Sequence, residues 1–162
     1  MRRICVEEHW NNRDIDEITK DWLKRLGFPP PLDPEALAAA NMRVKDFGEL
    51  RLPLMEQAGV SMQVLSTTAP GIQGLDNADA AIVAAKKVND AQAEIIRAHP
   101  HRFAGFAALP TQDPKAAAAE LERAVTDLGF KGAEHGAERT KGRRHPAGTR
   151  TLVPSCHIRL VA

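Results

Sequence analysis

At 162 residues, with 43% hydrophobic side chains, the chain is long enough for one domain with a real core but too short for a complete eight-fold βα barrel, which takes roughly 250 residues. A net charge of +1 offers no basis for a nucleic-acid or anionic-membrane partner. No run approaches the roughly 18 apolar residues of a membrane-spanning helix.

The charge is unevenly spread. Residues 134–162 hold Arg139, Lys141, Arg143, Arg144, Arg150 and Arg159 against Glu134 and Glu138, a net +4 that leaves −3 for the first 133 residues. A basic arm on an acidic body is one route to nucleic acid, but the arm has no interleaved aromatics and no recognised motif, so no nucleic-acid partner is expected. Cys5 and Cys156 make no disulfide framework and suit a reducing compartment. Arg2 and Arg3 lead into acidic residues rather than an apolar stretch, so no secretory signal is read and a cytoplasmic location is expected.

In chain order, Arg3 to His9 reads as a strand. Period-2 alternation predicts Cys5, Glu7 and His9 on one face, with Ile4, Val6 and Glu8 on the other, Ile4 and Val6 lying under a helix layer. Residues 11–45 read as a long excursion, broken by Pro29-Pro30-Pro31, with one short helix over 34–40. Phe47, Leu50, Leu54 and Ala58 follow helical spacing. Gly59 closes that helix, and Pro53 kinks it or marks its true start.

Val60 to Ser66 is the second predicted strand, followed by a turn-rich stretch over 67–74. Asn77 is placed to cap a long helix whose stripe is Ala81, Ala84, Ala85, Val88, Ala91 and Ile95, ended by His99-Pro100. Phe103 to Ala108 reads as the third strand. Asp113-Pro114 opens a further helix with Ala117, Leu121, Val125 and Leu128 inside and Gly129 closing it. Residues 130–133 begin a fourth strand. This rhythm of strand and helix predicts a parallel sheet with helices on one side, as in a βα barrel.

Glu7 and His9 are the candidate metal ligands. Two residues apart on a strand, they are about 6–7 Å apart along the backbone, from which a carboxylate and an imidazole can converge on Zn²⁺ or a similar ion. Strand C-terminal ends are where barrels carry chemistry. Glu8 reads as structural, pairing with an Arg or Lys. Ser66, Thr67 and Thr68 follow the second strand on the functional side, where Ser66 and Thr67 are candidate substrate contacts or, equally, caps of the next turn. His99 and His101 read as a solvated turn, and the tail residues His135, His145, Cys156 and His157 lack metal-site spacing.

The segments VEEHW at 6–10, RLPLMEQAGVSMQVLSTTAPGIQGL at 51–75 and HPHRFAGFAALPTQDPKAAAAELERAVTDLGFKGA at 99–133 resemble the amidohydrolase-related decarboxylases of the γ-resorcylate and 2,3-dihydroxybenzoate type. The resemblance implies an α/β fold: the N-terminal portion of an amidohydrolase (β/α)₈ TIM-like barrel, stopping after about three βα units. It also implies one catalytic divalent metal, Zn²⁺ or Mn²⁺, with Glu7 and His9 as ligands. The Glu form of that motif points to the decarboxylase branch, since many relatives carry His-x-His there. The family's further ligands, a His on a middle strand and an Asp on a late one, have no counterpart in this chain, nor does the later His that assists catalysis.

The resemblance stops at residue 133, where relatives continue with an apolar pair and Asn-Gly. Residues 134–162 are read as a basic segment without family resemblance: a disordered arm, an expression remnant or an out-of-frame product. The abrupt change within a strand favours the last. The implied function is metal-dependent, non-oxidative decarboxylation of a small aromatic or related unsaturated carboxylic acid. The alternatives are a metal-dependent hydrolase of the same superfamily, or a catalytically inactive fragment. The open inner face and edge of three or four strands predict self-association or a homo-oligomer.

Overall fold

A computed structural model of the chain describes residues 2–29 and 33–133. The expectations for 134–162 lie outside the described residues. Three parallel strands, β1 (Ile4–Trp10), β2 (Met62–Thr67) and β3 (Phe103–Gly105), form one sheet in the order β1-β2-β3. Their starts at residues 4, 62 and 103 match the apolar runs that predicted them. A fourth strand begins where expected. The Lys131 amide donates to the Gly105 carbonyl and the Ala107 amide to the Gly132 carbonyl, both at 2.9 Å, and Ala107 pairs in parallel with Ala133.

Helices occupy the connections because local capping chemistry starts them and a partial apolar stripe docks them. Asn77 caps α4 (Ala78–Ala98) by accepting the Ala80 amide at 2.9 Å, and Asp113 caps α5 (Pro114–Thr126) through the Lys115 and Ala116 amides. α4 lays Ala81, Ala85 and Val88 on the sheet, where they join Leu65, Phe103, Trp10 and Ile15 in the main core. Each large side chain buried there stabilises the fold by about 1.5–3 kcal/mol. The small α4 residues allow close approach. At Gly105 a Cβ would lie 2.6 Å from Gln92 Nε2 and 2.8 Å from Ile96 Cδ1, so any larger residue would have to displace those side chains. On the opposite face of the sheet, Val64, Ala104 and Phe106 form a separate small cluster with Met62.

Several expectations are corrected. Residues 11–45 are not a long loop with one short helix. They form α1 (Arg13–Arg25), capped by Asn12, and α2 (Pro34–Lys45), capped by Asp33. Ile15, Ile18 and Trp22 recur at helical spacing, and a single fully buried residue, Ile15, suffices because α1 docks on the turn Gly71–Gly74. The next helix, α3 (Arg51–Gln57), begins four residues later than Phe47, with Pro53 in its first turn; Gly59 follows at φ +65°. Ile4 and Val6 do not lie under helices: they are 52% and 54% exposed. In α5 the deepest positions are Glu120 and Ala124, with Ala117, Leu121 and Val125 half-buried, as is Leu128 just past its end. His99 is half-buried rather than solvated, its ring edge-on to Phe103 at 5.8 Å.

Candidate functional site

The site grows out of an irregularity in β1. Cys5 pairs with Gln63 and Glu8 with Leu65, so three steps on β1 match two on β2. The extra residue is a bulge over Val6 and Glu7, and Glu7 carries φ +62°, a left-handed conformation that costs a non-glycine residue about 1–3 kcal/mol. Alternation restarts beyond it. Glu8 turns toward the helices, where it accepts from Gln63 Nε2 at 3.3 Å and faces the charge of Arg51. His9 falls beside Ser66, and Trp10 enters the core at 1% exposure. The uninterrupted alternation that put Cys5, Glu7 and His9 on one face therefore fails at Glu7. Cys5 lies by α3, in register with Gln63.

Glu7 and His9 are both exposed, and both line an open groove of about 560 Å³ along β1, together with Arg43, Leu50 and Arg51. His9 also lines a smaller cleft of about 120 Å³ across the C-terminal ends of the strands. One wall of that cleft carries Ser66, Thr67 and Thr68; the other carries Phe106, Ala107 and Ala108, with Pro70 and Gln73 between. Ser66 is 5% exposed, and its hydroxyl, like that of Thr68, is buried with no hydrogen-bond partner among the described residues. Buried hydroxyls are normally paired, so unpaired ones beside a cleft mark a place for a polar ligand atom or a water.

The walls are fixed from behind by polar residues that hydrophobic patterning passed over. Asn89, fully buried in α4, donates to the Ala108 carbonyl at 2.9 Å and accepts the Ala108 amide at 2.8 Å. It also donates to Glu120 at 2.7 Å, and Glu120 is held by two bonds from Arg123, itself paired with Asp90. Hydrogen bonding to Glu120 pushes the Arg123 guanidinium upward, against the opposing effect of burial. Gln92 donates to the Leu65 carbonyl at 2.9 Å, and Gln112 to those of Ile72 and Leu75 at 2.9 and 2.7 Å. The available signal was the polar pair at 89 and 92 inside an alanine stripe.

Among the described residues, no three His, Cys, Asp or Glu side chains converge as a metal site. The donor types at Glu7 and His9 thus suit two positions of a divalent coordination sphere and leave the others unfilled by those residues. No helix of the described residues is long and apolar enough to cross a membrane.

A match to the amidohydrolase family covers residues 9–157. The chain belongs to the amidohydrolase family. The family match continues past residue 133, into the segment where the sequence offered no resemblance. The chain is 46% identical over 131 residues to the γ-resorcylate decarboxylase of Rhizobium radiobacter, which is 81% of this chain and 37% of that enzyme. The crystal structure of 2,6-dihydroxybenzoate decarboxylase from Rhizobium superposes with a TM-score of 0.71 at 34% identity, covering 82% of this chain and 38% of that one. A dihydroxybenzoic acid decarboxylase from Polaromonas sp. JS666, solved with manganese and the inhibitor 2-nitroresorcinol, gives a TM-score of 0.69 at 36% identity, covering 82% and 37%. The chain thus spans little more than a third of its curated relatives' length, and its parallel sheet corresponds to the N-terminal part of their barrels.

Proposed function

We propose that Glu7 and His9 are two ligands of a divalent metal, and that the cleft beside them holds a small aromatic carboxylic acid for non-oxidative decarboxylation. The observation that carries this reading is the bulge. It holds Glu7 in a costly backbone conformation and turns His9 to the cleft, in a family whose relatives are decarboxylases. Manganese is favoured over zinc, because the Polaromonas relative holds it.

When bound, the metal supplies a Lewis acid for the substrate carboxylate and a neighbouring hydroxyl. Glu7 and His9 hold it. Ser66 and Thr67 offer hydroxyls to the polar edge of the ring, while Phe106, Pro70 and Ala107 flank its apolar faces and keep water out. The reaction replaces a ring carboxylate with a proton, so an acid must deliver that proton to the ring carbon. The family resemblance assigns the acid to a late-strand Asp that has no counterpart in this chain. With two ligands from the described residues against the three usual at a catalytic centre, this 162-residue chain is expected to bind metal weakly and not to turn over. Ile4 and Val6, more than half exposed, are where copies are expected to associate.

Titration with Mn²⁺ and then with 2,6-dihydroxybenzoate tests the proposal. Mn²⁺ should bind, binding should weaken about tenfold or more in His9→Ala, and the acid should bind only after the metal. Mn²⁺ binding indifferent to both Glu7→Ala and His9→Ala, or acid binding indifferent to Mn²⁺, would overturn it. Metal-dependent CO₂ release abolished by Glu7→Ala would uphold the chemistry but refute the expectation of an inactive chain.

A further inference from the structure

We propose that Arg51 is the positioning residue of this site, fixing the end of β1 so that His9 is presented to the cleft; the proposal rests on the reading of His9 as a metal ligand. The need follows from the strand's place in the sheet. β1 pairs with β2 on one side and with no other strand among the described residues. The Trp10 carbonyl faces β2 and accepts the Thr68 amide at 3.1 Å. The His9 carbonyl points to the opposite, free edge. No hydrogen bond among the described residues involves the His9 imidazole, so its placement depends on its backbone.

Arg51 meets that carbonyl. Its Nη2 donates to His9 O at 2.9 Å and to the Arg43 carbonyl near the end of α2 at 3.3 Å, while Nη1 reaches Gln63 Oε1 at 3.4 Å. One planar fork therefore joins β1, β2 and α2, a geometry that a lysine point charge cannot reproduce. The arginine is itself fixed. Asp46 Oδ1 accepts the Arg51 amide at 2.9 Å, and the guanidinium carbon stands 5.2 Å from the Phe47 ring centroid. Burial lowers the guanidinium's pKa, opposed by the charges of Glu8 and Asp46. The fork's acceptors are the neutral oxygens of His9, Arg43 and Gln63, so the brace acts on backbone position.

The test compares Arg51→Gln, Arg51→Lys and the control Arg102→Gln in the full chain. Arg102 also ties α3 down, through Glu56 and the Val60 carbonyl, but at the far end of the sheet. Thermal melts first establish that each variant is folded at the working temperature. Arg51→Gln should weaken Mn²⁺ binding about tenfold, within the range for residues that orient metal ligands. Arg51→Lys should recover only part of it, and Arg102→Gln should leave it unchanged. In the same samples the His9 carbonyl ¹³C resonance should move, and the Asn11 amide, bonded to Val44 O at 3.1 Å, should lose protection in Arg51→Gln alone. An equal loss of Mn²⁺ affinity in Arg102→Gln, or no loss in Arg51→Gln, overturns the proposal. If the wild-type chain binds no Mn²⁺, the metal reading falls, and an unmoved His9 carbonyl would sink the role of Arg51 as well.

Discussion

His9 stands opposite Ser66 on the β1–β2 ladder, one position short of where an unbroken strand would put it. Counting from the Cys5–Gln63 pair without the bulge, His9 would meet Thr67 and turn to the other face of the sheet. The inserted residue at Val6–Glu7 thus decides both that His9 reaches the cleft and that Trp10 reaches the core.

Deleting Val6 tests this directly. With the extra residue gone, an unbroken β1 keeps both the Cys5–Gln63 and the His9–Ser66 pairs, so Trp10 should stay in the core. Denaturant melts should show wild-type stability or a gain of up to about 1–3 kcal/mol, the left-handed cost relieved at Glu7. A loss of about 3–5 kcal/mol, comparable to truncating a buried tryptophan, would mean that the bulge is not the one extra residue of the register.

Glu7→Gly and Glu7→Ala should differ in sign. Glycine relieves a left-handed backbone cost of about 1–2 kcal/mol and gives back about 0.5–1 kcal/mol in unfolded-chain entropy. Alanine relieves nothing. Glu7→Gly should therefore melt at or slightly above the wild-type temperature, and Glu7→Ala at or below it, with both losing Mn²⁺. A Glu7→Gly variant markedly less stable than Glu7→Ala would show that the side chain, not the backbone, carries the local energetics.

Behind the cleft, Glu120→Ala should cost about 1–3 kcal/mol, since it leaves one donor of the fully buried Asn89 without its partner, while Arg123 keeps Asp90. Glu120→Gln, which keeps an acceptor, should cost less. Equal losses in equilibrium unfolding would argue that packing, rather than the polar network, is what these residues supply.

Acid stability should depend in part on Asp46. The Arg51 amide, with those of Leu50 and Gly48, holds its carboxylate below the usual range, against an opposing desolvation. A depressed folded pKa gives stability that is fully present above the unfolded value of about 3.9 and is lost as pH falls through the folded value. Asp46→Ala should thus lower stability at pH 7 by about 0.5–1.5 kcal/mol, the net range for a lost hydrogen bond, and flatten the decline below about pH 4. An unchanged pH profile would remove Asp46 from the account.

The strands, the long α4 and its Asn77 cap, and the Asp113–Pro114 start of α5 were legible because each rests on a local rule: apolar runs, a capping oxygen, a proline at the first turn. The candidate pair Glu7 and His9 was also legible, as residue types at a strand's end. Their geometry was not. Period-2 reasoning assumes an unbroken strand, and no glycine announces the bulge at Glu7. Arg51 and Glu120 were hidden for a different reason, since their roles depend on residues 42 and 31 positions away, joined only by the fold.

The most direct test of the metal assignment is pulsed electron paramagnetic resonance of Mn²⁺ bound to the chain carrying ¹⁵N-labelled histidine. Coupling to a single imidazole nitrogen is expected, and it should disappear in His9→Ala. Coupling that survives His9→Ala, or its absence from the wild-type chain under Mn²⁺-binding conditions, would contradict the assignment.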